Sequence, residues 1–359
     1  MNAFFNLEHA CQGDRALQSQ TVAVVYGGTS SEAEVSFITG HSVLEALQET
    51  SSAGHGPQRV IGIELDREER WKLVGQPGGA TEFLASLSEV DICFLALHGG
   101  DGEDGHVQGL LAAAGKAFTG SSMYAASASM DKWVSRLVAA QAGLQLADGL
   151  VVDRALWNAE EEHTFLALLE RSPAGVCVKP RRGGSSVGVT RSKTVDETRD
   201  AALTILETGD EVLIESWTEG IEVACGVLGN RDGDPRALMP VEIRPHDGRF
   251  FDYEEKYSET GAEEFCPPES LGAETCNRIR ERALSIHRAL GCDGYSRSDF
   301  IIPHAREAAS DPVFLELNSL PGLTPRSLLP LAAAEAGLDF GALCLGILAA
   351  GLQREELRR

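Results

Sequence analysis

The chain has 359 residues, and 54 acidic against 31 basic side chains give it a formal charge of -23, which excludes a nucleic-acid partner because phosphate backbones need a basic surface. Its apolar content suffices for two or three packed domains, with no repeat or low-complexity tract. No apolar run is long enough to span a bilayer, and residues 1–20 carry Glu8 and Asp14 without a continuous apolar core, so the expectation is a cytoplasmic protein without signal peptide or membrane partner.

In chain order, Val22 to Tyr26 reads as a buried strand, GGTSSEAEVS as a turn, and about Val35 to Leu47 as a helix, which opens a doubly wound α/β unit. The dinucleotide fingerprint G-x-G-x-x-G is absent, since Gly27-Gly28 runs into Thr29-Ser30-Ser31. Glu32 and Glu34 lie at the helix start, where either the macrodipole or a substrate role for one of them accounts for an acid. Asp91 to Leu97 is a second buried strand leading into HGGDGEDGHVQG, a glycine loop at a strand C-terminus, where α/β sheets place ligands. His98 and Glu103 in that loop read equally as functional or loop-forming. The D-G-E-D-G spacing excludes an EF-hand, and Gly115-Lys116 followed by Ala excludes a P-loop.

A domain boundary falls near Ser127, and a helix follows to about Leu144 with Trp133, Leu137, Ala140 and Leu144 as its core face and Lys132 beside it. Val176 to Val178 is a strand ending in Lys179, and PRRGGSSVG joins it to a strand at Val189 to Arg191. Such a glycine-serine loop is either a hairpin turn or a phosphate cover, and Lys179, Arg181 and Arg182 beside it favour phosphate. After a helix near Val195 to Leu206, Glu215 ends one buried strand and Glu222 begins the next; acids there suit the amino group of adenine or ribose hydroxyls, or are solvated strand ends. Phe250 to Pro268 is charged and aromatic and reads as a mobile loop rather than an element. The helix Glu274 to Leu290 turns Cys276, Ile279, Ala283, Ile286 and Leu290 inward. The cysteines form no C-x-x-C pair and read as small buried hydrophobes in a reducing compartment.

The stretch FLELNSLPGLTPRS, Phe314 to Ser327, carries the densest chemistry. Glu316 interrupts an apolar run, Asn318 shares its face by the period of two, and Asp299 in SDFII supplies a further acid. Three hard oxygen donors suit magnesium against phosphates, while the plainer reading is a buried acid paired with Arg297. The Pro321-Gly322 turn brings backbone N–H groups and the Ser327 hydroxyl close by.

Taken together, GGTSSEAEVS, LHGGDGEDGHVQG, MDK, VKPRRGGSSVG, DYEEKY, RSDF and LELNSLPGLTPRS, in this order from about residue 21, resemble the D-alanine–D-alanine ligases of the ATP-grasp superfamily. The resemblance implies an α/β chain with an ATP-grasp fold preceded by a Rossmann-like domain: 1–127 for substrate, 128–216 and 217–359 as the two ATP-grasp subdomains. It implies ATP with two magnesium ions per site (manganese as a substitute), a homodimer, and a dipeptide for the peptidoglycan precursor. Carried over by position, Lys132 and Lys179 contact the ATP phosphates, Glu215, Trp217 and Glu222 hold adenine and ribose, and Asp299, Glu316 and Asn318 bind the metal. Lys256 reaches the transferred phosphoryl group; Tyr257, Ser185 and Glu32 form a hydrogen-bonded set, with Glu32 on the ammonium of the first amino acid. Arg297 and the Gly322 N–H stabilise the oxyanion, Ser327 binds the acceptor carboxylate, and His98 lies close to the substrates. Arg326 departs from the smaller or neutral residue usual beside that serine, so the acceptor stays open among D-alanine, D-lactate and D-serine, with a specialised dipeptide ligase a further option. Members that make the depsipeptide carry a histidine in the covering loop; none stands between Phe250 and Pro268, which favours D-alanine.

Overall fold

A computed structural model describes residues 15–152, 159–184, 187–245, 261–304 and 311–358. The first unit is a four-stranded parallel sheet in the order β2-β1-β3-β4, built from Thr21–Gly27 (β1), Arg59–Leu65 (β2), Ile92–Leu95 (β3) and Ala117–Phe118 (β4). Val22 to Val25 and Ile92 to Leu95 are fully buried, because a parallel sheet is covered on both faces. The helix Ala33–Ser52 (α1) packs on β1 through Val35, Thr39, Val43 and Leu47, starting two residues earlier and ending five later than its apolar period predicts.

Two antiparallel sheets follow. The smaller has the order β5-β8-β6-β7, from Gly149–Val152 (β5), Val176–Pro180 (β6), Thr190–Ser192 (β7) and Val212–Ser216 (β8). The larger runs β12-β11-β9-β13-β14, from Gly220–Leu228 (β9), Val241–Arg244 (β11), Glu263–Phe265 (β12), Tyr295–Pro303 (β13) and Val313–Asn318 (β14), with Arg236–Ala237 (β10) paired to β9. The helix Ala273–Ala289 (α4) backs the larger sheet through Cys276, Ile279, Ala283 and Ile286, the face its spacing predicts. The helix Val195–Glu207 (α3), opened by a Thr194–Glu197 capping box, backs the smaller one.

Two expectations are corrected. Part of the stretch read as a mobile loop is an element: Glu263–Phe265 pairs antiparallel with β11, matching Ile243 to Glu264. In the helix Lys132–Gln141 (α2), Leu137 is 55% exposed and Ala140 is exposed too, while Lys132, Ser135, Arg136 and Ala139 face inward. The inner face mixes two kinds of burial: Lys132 and Arg136 are turned in by ion pairs at the charged cavity, and Ala139 packs into the apolar core of the larger sheet.

The helices Leu328–Glu335 (α5) and Phe340–Arg358 (α6) join the parallel sheet to the larger antiparallel one in a single apolar core. Arg354 on α6 is buried and donates to the carbonyl oxygens of Phe118, at 2.6 Å, and of Gly120. No single described helix is long and apolar enough to cross a membrane.

Candidate active site

Between the two antiparallel sheets lies a cavity of about 890 Å³, within the usual range for a small-molecule site. The smaller sheet and its loops contribute Lys179, Arg182, Gly183 and Gly184; the larger contributes Glu222, Glu242, Arg297, Asp299 and Glu316; Lys132 comes from the start of α2.

The acidic wall follows from strand register. Asp299 stands opposite Glu316, and Arg297 opposite Asn318, so all four share one face. A bulge between Asp299 and Phe300 shifts the pairing and lets the consecutive residues Leu315 and Glu316 both line the cavity. Arg297 grips both Asp299 oxygens at 2.8 Å, Asn318 Nδ2 donates to Asp299 Oδ2 at 3.1 Å, and Lys132 Nζ lies 3.6 Å from Glu316. Two carboxylates and a carboxamide suit a hard divalent cation, and here protein cations stand among them where such an ion would compensate their charge. The predicted pairing of a buried acid with Arg297 is real, through Asp299.

On the opposite wall Lys179 and Arg136 share Glu215, one on each carboxylate oxygen, and all three are buried. Lys132 Nζ donates to Gly183 O at 2.5 Å, tying α2 to the glycine loop. Of the two arginines expected to meet phosphate, Arg181 turns away from the cavity, and Arg182 lines it but is engaged by acids. Arg181 donates to Asp131 at 2.8 Å and to both Glu211 oxygens at 2.7 and 2.8 Å, and Arg182 reaches Asp131, Asp210 and Glu211. Asp131 also caps α2 by accepting from the N–H groups of Trp133 and Val134. Burial would raise the Asp131 carboxyl, but Arg181 and the capped helix end outweigh it and hold it below the usual carboxylate range. The arginines thus fix the loop to the helix and leave Lys179 and Lys132 as the deep cations. Trp217 donates its N–H to Gly175 O at 2.9 Å, and the Arg191 guanidinium lies 4.5 Å over its ring.

The first domain approaches the glycine loop of the cavity through Glu32, only 8% exposed, whereas Glu34 points outward to Arg67 at 2.8 Å. The bare backbones of Gly99 and Gly184 make room for Glu32: a Cβ on Gly184 would stand 3.2 Å from its Oε2, and one on Gly99 would collide with it. His98 is buried, with Thr39 Oγ1 at 2.9 Å from Nε2 and Glu103 at 3.3 Å from Nδ1. At the other end the Ser327 hydroxyl accepts from Thr324 N at 3.1 Å, and a Cβ on Gly322 would sit 3.1 Å from it, so Gly322 and Ser327 are neighbours; Arg326 is exposed. Ser185, Lys256 and Tyr257 lie outside the described residues.

Sequence reading missed Arg136, Asp131, Glu211 and Glu242. Glu242 was within reach, since it is an acid inside the apolar strand VEIR, the sign that exposed Glu316. It is 2% exposed and accepts from Ser270 N and Oγ at 2.8 Å and from Arg244 at 2.7 Å. Burial pushes its carboxyl up, yet these donors prevail and hold it below its ordinary value.

Two antiparallel sheets closing on a cavity with a cationic and an acidic wall, preceded by a parallel α/β domain, define an ATP-grasp ligase fold. Residues 21–121 match the D-ala D-ala ligase N-terminus and 138–349 the D-ala D-ala ligase C-terminus, so the chain belongs to the D-alanine–D-alanine ligase family. The D-alanine–D-alanine ligase of Citrifermentans bemidjiense is 39% identical over 337 residues, covering 93% of this chain and 97% of that one. That of Halalkalibacterium halodurans is 36% identical over 319 residues, covering 89% and 95%. The crystal structure of the Bacillus anthracis D-alanine–D-alanine ligase complexed with ATP superposes with a TM-score of 0.75 at 28% identity, over 95% of this chain and 99% of that one. The VanG D-Ala:D-Ser ligase of Enterococcus faecalis gives 0.77 at 28% identity, over 93% and 100%.

Proposed function

We infer that this chain joins two D-alanines at the expense of ATP, giving D-alanyl-D-alanine, ADP and phosphate for the peptidoglycan precursor. The observation that carries the reading is the cavity itself, which Lys132, Lys179, Asp299 and Glu316 line together. A carboxylate is a poor acyl donor, so the first D-alanine is phosphorylated by ATP to an acylphosphate. The amine of the second attacks that carbonyl, and the resulting tetrahedral oxyanion collapses with loss of phosphate. Lys132 and Lys179 hold phosphate oxygens; Glu215, Glu222 and the chain at Trp217 hold the nucleoside. Glu32 anchors the first ammonium, Arg297 and the Gly322 N–H receive the oxyanion, and Ser327 binds the acceptor carboxylate. Ser185, Lys256 and Tyr257 take the covering roles that the family resemblance implies. Asp299, Glu316 and Asn318 would bind two magnesium ions, which supply charge neutralisation on the transferring phosphoryl group. We further propose a cytoplasmic homodimer, which light scattering of the purified chain would test.

The deciding experiment is phosphate release from ATP with and without D-alanine, coupled to product analysis in a mixture of D-alanine, D-lactate and D-serine. Release that depends on D-alanine, with D-alanyl-D-alanine as main product at pH 7, is expected. Release independent of D-alanine would overturn the ligase reading, and a depsipeptide or D-Ala-D-Ser as main product would overturn the acceptor.

A further inference from the structure

Glu215 on β8 stands between Gly149 of β5 and Cys177 of β6 in the pairing of the smaller sheet. Arg136 approaches over Gly149, where a Cβ would lie 3.1 Å from its Nη2, and Lys179 approaches from the Cys177 side. Arg136 donates to Glu215 Oε1 and, at 2.5 Å, to Ala147 O, and its side chain is 5% exposed. Lys179 and Glu215 line the cavity, while Arg136 lies behind them. Two buried cations therefore share one carboxylate, and the cluster holds one positive charge that the acid does not cancel. A buried surplus charge is costly unless an anion compensates it, and the cluster opens to the cavity on the Lys179 side.

We propose that Arg136 is a positioning residue for nucleotide binding: by saturating Glu215 from behind, it leaves the Lys179 charge available to an anionic phosphate in the cavity. This rests on the ATP reading above. Without Arg136, Lys179 becomes the sole counter-ion of Glu215, a neutral pair with less to offer a phosphate. Burial disfavours the Lys179 ammonium, but Glu215 outweighs burial and the lysine stays charged at neutral pH.

The test uses the full chain and titration calorimetry with ATP, with and without magnesium. Arg136→Met keeps side-chain bulk and deletes the charge; it should weaken ATP about tenfold or more, a typical cost for disturbing a buried charge pair. KM for ATP should rise in parallel, kcat at saturating ATP should stay within about threefold, KM for D-alanine should hold, and Arg136→Lys should recover most of the affinity. With Glu215→Gln the acid is gone and Lys179 is released, so Arg136→Met added to Glu215→Gln should change ATP affinity less than about threefold. Wild-type ATP affinity in Arg136→Met, or an equal loss in the Glu215→Gln background, would overturn the proposal. Should Arg136→Met not fold, the cycle run with Arg136→Gln, which also deletes the charge, and Glu215→Gln decides in the same way. A wild-type chain that binds no ATP would overturn the nucleotide reading itself, and this proposal with it.

Discussion

The smaller sheet brings Lys179 to the cavity with Glu215 beside it and Arg136 behind, whereas the larger sheet brings Asp299 and Glu316, held by Arg297 and Lys132. On the first wall one acid, also assigned a nucleoside contact, is shared by two cations, and a positive charge is left over. On the second wall the acids are the chemical groups, and the cations beside them occupy positions that a divalent ion would compete for. One wall is thus poised for anionic oxygen, the other for a hard cation, and the nucleotide reading needs both.

The sharpest way to break this contrast is Glu316→Gln, which keeps shape and removes the charge. Turnover should fall on the order of 100- to 1,000-fold while circular dichroism stays native and ATP binding through the opposite wall survives in EDTA. Near-normal turnover would remove the acidic wall from the chemistry.

The next effect concerns the back of the larger sheet. His287 on α4 is fully buried, with Nδ1 2.7 Å from Ser296 Oγ and Nε2 3.1 Å from Gly229 O. Burial is the main cause that pushes its pKa from 6.5 down to about 4. The unfolded chain therefore takes up a proton first as pH falls, so stability present above about pH 6.5 is lost progressively down to about 4, by about 3 kcal/mol. Thermal melts from pH 7 to 4.5 should show that decline, and His287→Asn should lower the pH 7 value but flatten the slope. An equally steep slope in the variant would assign the loss to other groups.

A smaller effect is expected at the hinge of the cationic wall. Asp131 joins the α2 cap to Arg181, and its depressed carboxyl pKa contributes stability present above about pH 4 and lost as pH falls below it. Asp131→Asn should cost about 1–2 kcal/mol at pH 7 in urea unfolding and raise KM for ATP by loosening Lys132 and the glycine loop. An unchanged KM would confine Asp131 to capping. The smallest effect belongs to Arg326, which is exposed: Arg326→Gln should shift KM for the acceptor less than about threefold, and a larger shift would place it in the acceptor site.

The sequence showed the acidic wall better than the cationic one, and the reason is geometric. In a strand a period of two settles which residues share a face, so Asp299, Glu316 and Asn318 could be grouped from spacing and local chemistry. What spacing did not show is the bulge that adds Leu315 to the lining. On α2 and just beyond it the same kind of reasoning groups Trp133, Leu137, Ala140 and Leu144, because apolar residues normally turn inward; Leu144 is buried and Trp133 half-buried, but Leu137 and Ala140 are exposed. There the partners of Lys132 and Arg136, namely Gly183, Glu316 and Glu215, lie from 51 to 184 positions away in sequence, and no local pattern announces them. Arg181 is hard to place from sequence for a related reason: a basic cluster beside a glycine loop reads as one phosphate site. Only the fold shows Asp131 and Glu211 drawing Arg181 out of the cavity while Arg182, shared with Asp131, Asp210 and Glu211, stays in its lining.

Arg354 lends the chain a dependence on the order of its own synthesis. It sits more than 230 positions after the carbonyls of Phe118 and Gly120, at and just past the end of β4, that it grasps, and α6 around it covers Ile92 and Phe118 of the parallel sheet. When the ribosome has finished that sheet, one flank remains an open apolar surface until α6 emerges, after both antiparallel sheets have been translated. The amino-terminal domain is in this sense made early and completed last, and the nascent chain carries an adhesive surface through most of its elongation.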